Sequence, residues 1–379
     1  MTKIPYVQSL GSLDVPPPYH FPNVTVNAFV WETQMGPIQH FCDTVLNLGT
    51  DADRGFVYQP AASWPYALLL FIDYPEMIST CPAPKGEPPY SDRGVVKQTE
   101  VFVSVPVVRT GLTPRARAFE TAVEWALPFI VVGNGMSAVC GREMIGLEKL
   151  LADISIGEAT YPDSFKGSVL LPGWATLEPG EMQKPDLPFL DVVTQPLLPT
   201  FRGSPAQKSL WTLFQNRPIG SLLSGLAAAS ELVDAAALGL LPIAMRTVSL
   251  RQFRDAAEPG LALYQALVTC RSKYTNIANF QFYNEDDVKI QFYDTGSFAR
   301  ILRVFMKVQG GSATSPTGLA CPVTVKAAFR FNADIDFDDM RTIHTFAVER
   351  RGLKAVPKRS DLDSGWARAL GGFFGPRKS

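Results

Sequence analysis

The stretch YALLLFIDY, residues 66 to 74, is apolar at almost every position and lies between Pro65 and Pro75. Nine residues suit a strand buried on both faces better than a core helix. Similar runs recur through the first two hundred residues as TEVFVSVPVV, PFIVV and GSVLL, separated by proline and glycine. Short strands joined by turn residues imply a mainly antiparallel sheet. Strand character returns in NFQFYNEDDVKIQFYD, where apolar residues alternate on both sides of the polar Asn284 to Asp287, and this predicts a hairpin. A last strand is expected in VTVKAAFRFNADIDF, followed by a tail rich in Lys, Arg and Gly.

Between about residues 207 and 269 the pattern changes to helical, with Leu210, Leu213 and Phe214 at helical spacing and an alanine-rich segment after them. Because strands resume afterwards, the expected architecture is one α+β domain carrying a helical insertion, with residues 333–379 as a carboxyl-terminal strand, extension and basic tail. The apolar segment Ile219 to Met245 has Glu231 and Asp234 near its middle, where a carboxylate in lipid is costly, so it reads as a buried or interface helix.

Composition narrows the function classes. Lys and Arg total 35 against 36 Asp and Glu, for a net charge of -1. That balance offers no broad attraction for nucleic acid or an anionic membrane, and neither is expected as a partner. The cysteines at 42, 81, 140, 270 and 321 show no metal-type spacing and suit a reducing compartment. No secretory signal is visible at the amino terminus, and the cytoplasm is the expected location. His20, His40 and His344 have no metal-binding spacing, no G-x-S-x-G elbow occurs, and the acidic residues 285–287 read as a solvated turn tip.

The stretch FIVVGNGMSAVCGREMIGLEKLLAD, residues 129 to 153, carries two competing readings. GNGMSA satisfies G-x-G-x-x-G/A after an apolar run, as a dinucleotide-binding turn would. The segment that follows meets Gly141, Arg142 and Glu143 within two turns, and the neighbouring strands look antiparallel, which is the wrong setting for that crevice. A simpler account is a turn between two strands in which Gly133 and Gly135 supply positive φ. Taken alone, Leu147, Leu150, Leu151 and Ile154 fall at i, i+3, i+4 and i+7, which predicts an amphipathic helix with Lys149 on its wet face and Asp153 one turn on.

GREMIGLEKLLADI and TEVFVSVPV together resemble the acetoacetate decarboxylase family. Its pattern runs G-R-E, two apolar or aromatic residues, a small residue, another apolar one, then Pro-Lys-Lys, and its first lysine forms a Schiff base. Gly141, Arg142 and Glu143 match the opening, Gly146 the small position and Lys149 the nucleophilic lysine, while VVGNGMSAV resembles the strand and turn before it. TEVFVSVPV resembles the segment that puts Glu100 on the family's active-site glutamate, and YALLLFIDY the strand before it. The resemblance spans most of residues 19–332 outside the helical block. It implies a β-rich, mainly antiparallel barrel-like or cone-like sheet. Activation of a Schiff-base lysine is already established for this family, so the logic applied to Lys149 is inherited from the resemblance.

This sequence departs from the pattern where chemistry is concerned. Leu150 stands in place of the second lysine and Glu148 in place of the preceding proline. A lysine must shed its proton to attack a carbonyl, which a neighbouring cation or apolar surroundings favour. Leu150 removes the cation and leaves the surroundings. A second family glutamate falls on or near Leu70, and the family's substrate-carboxylate arginine falls near Val24. The lost charges imply a larger, more apolar substrate than acetoacetate.

The leading expectation is therefore a decarboxylase-like lyase acting on a β-keto acid or related carbonyl compound. Lys149 would form the imine and Glu100 would orient substrate or move a proton. Arg142 and Glu143 would be a structural ion pair or backbone-bonding pair, and Leu150 a support beside the lysine. The imine serves as electron sink, so the resemblance implies no cofactor, and the residue spacings give no expectation of a metal. Family members assemble into oligomers, which makes self-association an expectation here. The alternatives are a non-catalytic protein holding an apolar ligand on the same scaffold and, more remotely, a dinucleotide-dependent oxidoreductase.

Overall fold

A computed structural model of the protein describes residues 15–61, 66–83, 85–93, 96–113, 122–157, 164–173, 184–194, 243–283, 285–293, 314–315 and 318–346. Its strands, in chain order, are β1 (Tyr19–Glu32), β2 (Phe56–Pro60), β3 (Tyr66–Tyr74), β4 (Ile78–Ser79), β5 (Gln98–Gly111), β6 (Ala122–Val132), β7 (Leu150–Leu151) and β8 (Asp153–Gly157). They continue as β9 (Lys166–Gly173), β10 (Lys184–Val193), β11 (Ile243–Arg254), β12 (Ala262–Tyr283), β13 (Lys289–Tyr293), β14 (Thr314–Ser315), β15 (Gly318–Val323) and β16 (Val325–Thr345). Short helices α1 (Met35–Phe41), α2 (Asp51–Arg54) and α3 (Gly135–Cys140) link some of them.

One sheet has ten strands in the order β2-β5-β3-β1-β16-β12-β11-β6-β7, with β4 on β1. An additional pairing of β5 with β6 joins the two arms, so β5, β3, β1, β16, β12, β11 and β6 form a closed circuit. Most pairs are antiparallel, while β6 runs parallel to both β7 and β11, which makes the sheet mixed. A second sheet, β14-β15-β13-β10-β9-β8, is antiparallel.

The apolar runs follow from burial on two faces. Along β1, Val24, Val26, Ala28 and Val30 pack into one core cluster, while Phe29 and Trp31 between them pack into another. Leu68, Leu70 and Ile72 of β3 join the first cluster and Leu69 and Phe71 the second. Successive side chains of a strand point to opposite faces, so a sheet covered on both sides needs apolar residues at nearly every position. The second cluster includes Phe165, Val169, Phe189, Ile290 and Phe292 from the six-stranded sheet and its approaches, which therefore covers one face of the large sheet.

Three expectations need correction. The helical block expected to reach residue 269 gives way by residue 243, because Ile243–Arg254 and Ala262–Tyr283 are strands paired from Ile243 opposite Tyr274 to Arg254 opposite Ala262. Long-range pairing outweighs the weak local helical preference there. Residues 207–242 lie outside the described residues, as does the tail beyond 346. The expected hairpin around residues 284–287 does not form: β12 pairs with β11 and β16, whereas β13 pairs with β10 and β15. Alternation of apolar residues identifies strands but carries no information about which partners they take. Finally, β16 runs through residue 332, so the sheet continues past the boundary expected there. Among the described residues no helix is long and apolar enough to cross a membrane.

A buried carboxylate fixes one end of the circuit. Glu124 on β6 is fully buried, accepts from Tyr58 Oη at 2.5 Å, and accepts from Arg109 Nε at 3.2 Å. Burial first and the Glu124 charge second push the Tyr58 phenol well above its ordinary value. Tyr58→Phe removes a hydrogen bond to a charged acceptor, and urea unfolding should show a loss of about 1.5–3 kcal/mol.

Candidate active site

The segment from residue 133 to 151 converts strand into helix and back, and this places Lys149. After β6, the Asn134 side chain accepts from the backbone N–H groups of Met136 and Ser137 and starts α3. The helix widens through Gly141–Ile145 and stops at Gly146, whose φ of 79° is left-handed. Such a residue ends a helix, and glycine adopts it without steric cost. The chain then extends toward Leu150, which pairs with Val131 of β6. Along this extended piece Leu147 is buried, Glu148 exposed and Lys149 buried, which is the alternation of a strand.

The helix predicted with Lys149 on a wet face is therefore absent. Lys149 is 8% exposed, because Gly146 breaks the helical spacing before the leucines that suggested it. The turn reading of GNGMSA also fails in detail, since Gly133 and Gly135 are not among the glycines with positive φ and the segment joins a strand to a helix. Nor does the helix offer free N–H groups to a phosphate, since the Asn134 side chain already occupies two of them.

Lys149 Nζ donates to Glu100 Oε2 at 2.5 Å and to Ser137 Oγ at 3.1 Å. Glu100, 6% exposed, stands near the start of β5, with Ile72 of β3 and Val132 of β6 opposite it. The two residues predicted to act together, 49 positions apart in sequence, are thus in contact. The lysine stem crosses directly over Gly141, where a Cβ would meet Lys149 Cδ at 2.7 Å and Cε at 2.8 Å. Gly141→Ala should displace the amine, and a misplacement near 1 Å costs about 10²-fold in reactivity. Carbonyl trapping rates would show that loss, while far-UV circular dichroism should stay at the parent level.

The other predicted residues hold the frame. Arg142, an exposed residue, donates from Nη1 to the Lys149 backbone carbonyl at 3.2 Å. This is the backbone-bonding alternative; among the described residues no ion pair joins it to Glu143. Leu150 is half-buried and packs against the core between the two sheets. Leu70 and Val24 are fully buried in the apolar cluster inside the circuit.

Lys149 and Glu100 open into a cavity of about 60 Å³ inside the closed circuit. Its walls include Phe21, Ile72, Phe102, Leu127, Met245 and Ile335, and are mostly apolar. At roughly 15 Å³ per water the volume admits about four waters, which suits a compact ligand. Burial and then the Glu100 charge push up the hydroxyls of the lining residues Tyr74 and Tyr274, keeping both neutral. Close by, the Cys270 thiol is pushed up to about 12, chiefly by burial, and contacts Thr247 Oγ1 at 2.6 Å.

Sequence reasoning missed Ser137, Gln98, Tyr74 and Tyr274. Gln98 lies two positions before Glu100 on the same strand face, and Tyr74 ends YALLLFIDY, so period-two reading of the strands would have found both. Nothing local marks Ser137 or Tyr274, which the fold brings in from α3 and β12.

No family model matches the sequence, and no curated protein is significantly similar to it. Among solved structures, the acetoacetate decarboxylase of Legionella pneumophila aligns over 90% of this chain and 93% of its own at 12% identity, with a TM-score of 0.52. An acetoacetate decarboxylase-like enzyme from Sphingomonas wittichii aligns over 90% and 100% at 9% identity and a TM-score of 0.49. The enduracididine biosynthesis enzyme MppR aligns over 88% and 91% at 13% identity and a TM-score of 0.48. The chain shares its fold with the Legionella acetoacetate decarboxylase.

Proposed function

We propose that this chain is an imine-forming lyase that acts on a compact, largely apolar carbonyl compound, with Lys149 as nucleophile and Glu100 as its proton partner. One observation carries the reading: a buried amine whose nearest acceptor is a buried carboxylate at 2.5 Å, both lining a mostly apolar cavity. The fold supports it by analogy alone. Glu100 takes the ammonium proton, and the freed nitrogen pair bonds to the carbonyl carbon. The carbonyl oxygen receives one proton from nitrogen and one from Glu100, leaves as water, and the protonated imine remains. That imine accepts the electron pair of a bond broken at the adjacent carbon, by loss of carbon dioxide, aldol cleavage or a related step. Ser137 holds the amine from its other side.

The apolar walls agree with the substrate expected from the lost charges, whereas the cavity volume favours a small compound over a larger one. Incubation with small ketones and aldehydes plus borohydride tests the proposal. It predicts a stable mass increase on the peptide containing Lys149 and none in Lys149→Ala. Labelling that spreads over surface lysines and persists in the variant would leave the protein as a binder of apolar ligands on this scaffold.

A further inference from the structure

Gln98 is 4% exposed and lines the cavity, and its Oε1 is buried without a hydrogen-bond partner. A buried amide oxygen left unpaired lowers stability, and native structures retain few such groups, often where function uses them. Gln98 faces Tyr74 directly across the β5–β3 pair, so both side chains share the cavity face. Tyr274 and Ser272 of β12 line the same cavity. None of these three hydroxyls donates to another described residue, so the polar groups around Gln98 are free to meet a ligand.

The charge balance of the cavity is a second, independent observation. Among the described residues lining the cavity, Glu100 and Lys149 alone carry charge, and they neutralise each other. Conversion of Lys149 to a protonated imine keeps that balance. A substrate carboxylate would then be a buried charge without a partner, at heavy desolvation cost. A neutral oxygen function meets no such barrier and finds an amide and hydroxyls waiting.

We infer that the substrate is an uncharged carbonyl compound bearing a hydroxyl or second carbonyl group, and that Gln98 is the specificity-determining residue that hydrogen-bonds this group. The inference deepens the proposed function and rests on it for the reacting carbonyl, while polar recognition stands on Gln98 itself. A site built to hydrogen-bond a substrate group rejects the analogue lacking it. It also points away from free keto acids and toward cleavage or dehydration of neutral hydroxycarbonyl compounds.

Borohydride trapping with 4-hydroxy-2-butanone, hydroxyacetone, 2-pentanone and acetoacetate provides the test, with thermal shift measured for each compound without borohydride. The two neutral oxygenated ketones should label Lys149 at concentrations at least ten-fold below those needed for acetoacetate or 2-pentanone, consistent with a hydrogen-bond contribution of this size. Gln98→Met should erase the advantage of the oxygenated ketones over 2-pentanone and raise the melting temperature because the unpaired amide is gone. Equal or better labelling by acetoacetate overturns the inference, as does selectivity that survives Gln98→Met. If no ketone labels Lys149 while the oxygenated ketones still stabilise the protein selectively, the imine reading fails and the recognition by Gln98 stands. If neither labelling nor selective stabilisation occurs, both fail.

Discussion

Glu100→Leu should destabilise the protein by about 3–5 kcal/mol, because it strands a buried ammonium whose partner was 2.5 Å away. Adding Lys149→Met should return stability to the parent level or above, since replacing a buried ion pair with apolar side chains of similar size is often neutral or stabilising. The walls favour this outcome, since Ile72, Phe102 and Leu127 line the same cavity as the pair. The doubly substituted protein should be folded and unable to form any carbonyl adduct. Urea unfolding of the four members of this cycle separates the two effects. A pair kept for structure would instead lose stability in the double variant. Recovery of stability together with loss of chemistry marks a pair retained for what it does.

Gly146→Ala should cost about 2–5 kcal/mol, for two reasons that act at one atom. The backbone there is left-handed at φ 79°, which disfavours any Cβ. A Cβ would also lie 2.5 Å from Cα and 2.6 Å from N of Arg251, which is backbone of β11 and cannot swing aside as a side chain could. The contrast with Gly141 is informative, because there the obstructing atoms belong to the Lys149 stem. Thermal unfolding should therefore fall sharply in Gly146→Ala and little in Gly141→Ala, while carbonyl reactivity suffers in both.

How much of this can be read from the sequence depends on the range of the forces involved. YALLLFIDY, TEVFVSVPVV and PFIVV became β3, β5 and β6 because short, doubly apolar runs have few other ways to bury themselves. The partners of those strands were not legible. β13 left its sequence neighbour for β10 and β15, and the parallel contact between β6 and β11 joins residues more than a hundred positions apart. The site shows the same division. Residue patterns around Gly141 and Thr99 point to Lys149 and Glu100 as a pair, yet the leucine spacing after Gly146 argues for an exposed lysine. One left-handed glycine decides the matter by ending the helix and starting an extended segment. Leu70 and Val24 were legible as apolar strand residues, but their place in the core inside the circuit came from pairing.

Oxygen exchange reports imine formation at Lys149 without a trapping reagent. A small neutral ketone is incubated with the protein in H₂¹⁸O, and the label entering the carbonyl is followed by mass spectrometry. Imine formation expels the carbonyl oxygen as water, and hydrolysis returns one from solvent, so each reversible cycle at Lys149 exchanges it. Exchange should run well above the buffer rate and its enzymatic part should fall by at least ~10³-fold in Lys149→Ala, the loss expected when a nucleophile is removed. Exchange at the buffer rate, or exchange undiminished in Lys149→Ala, would contradict an imine at this lysine.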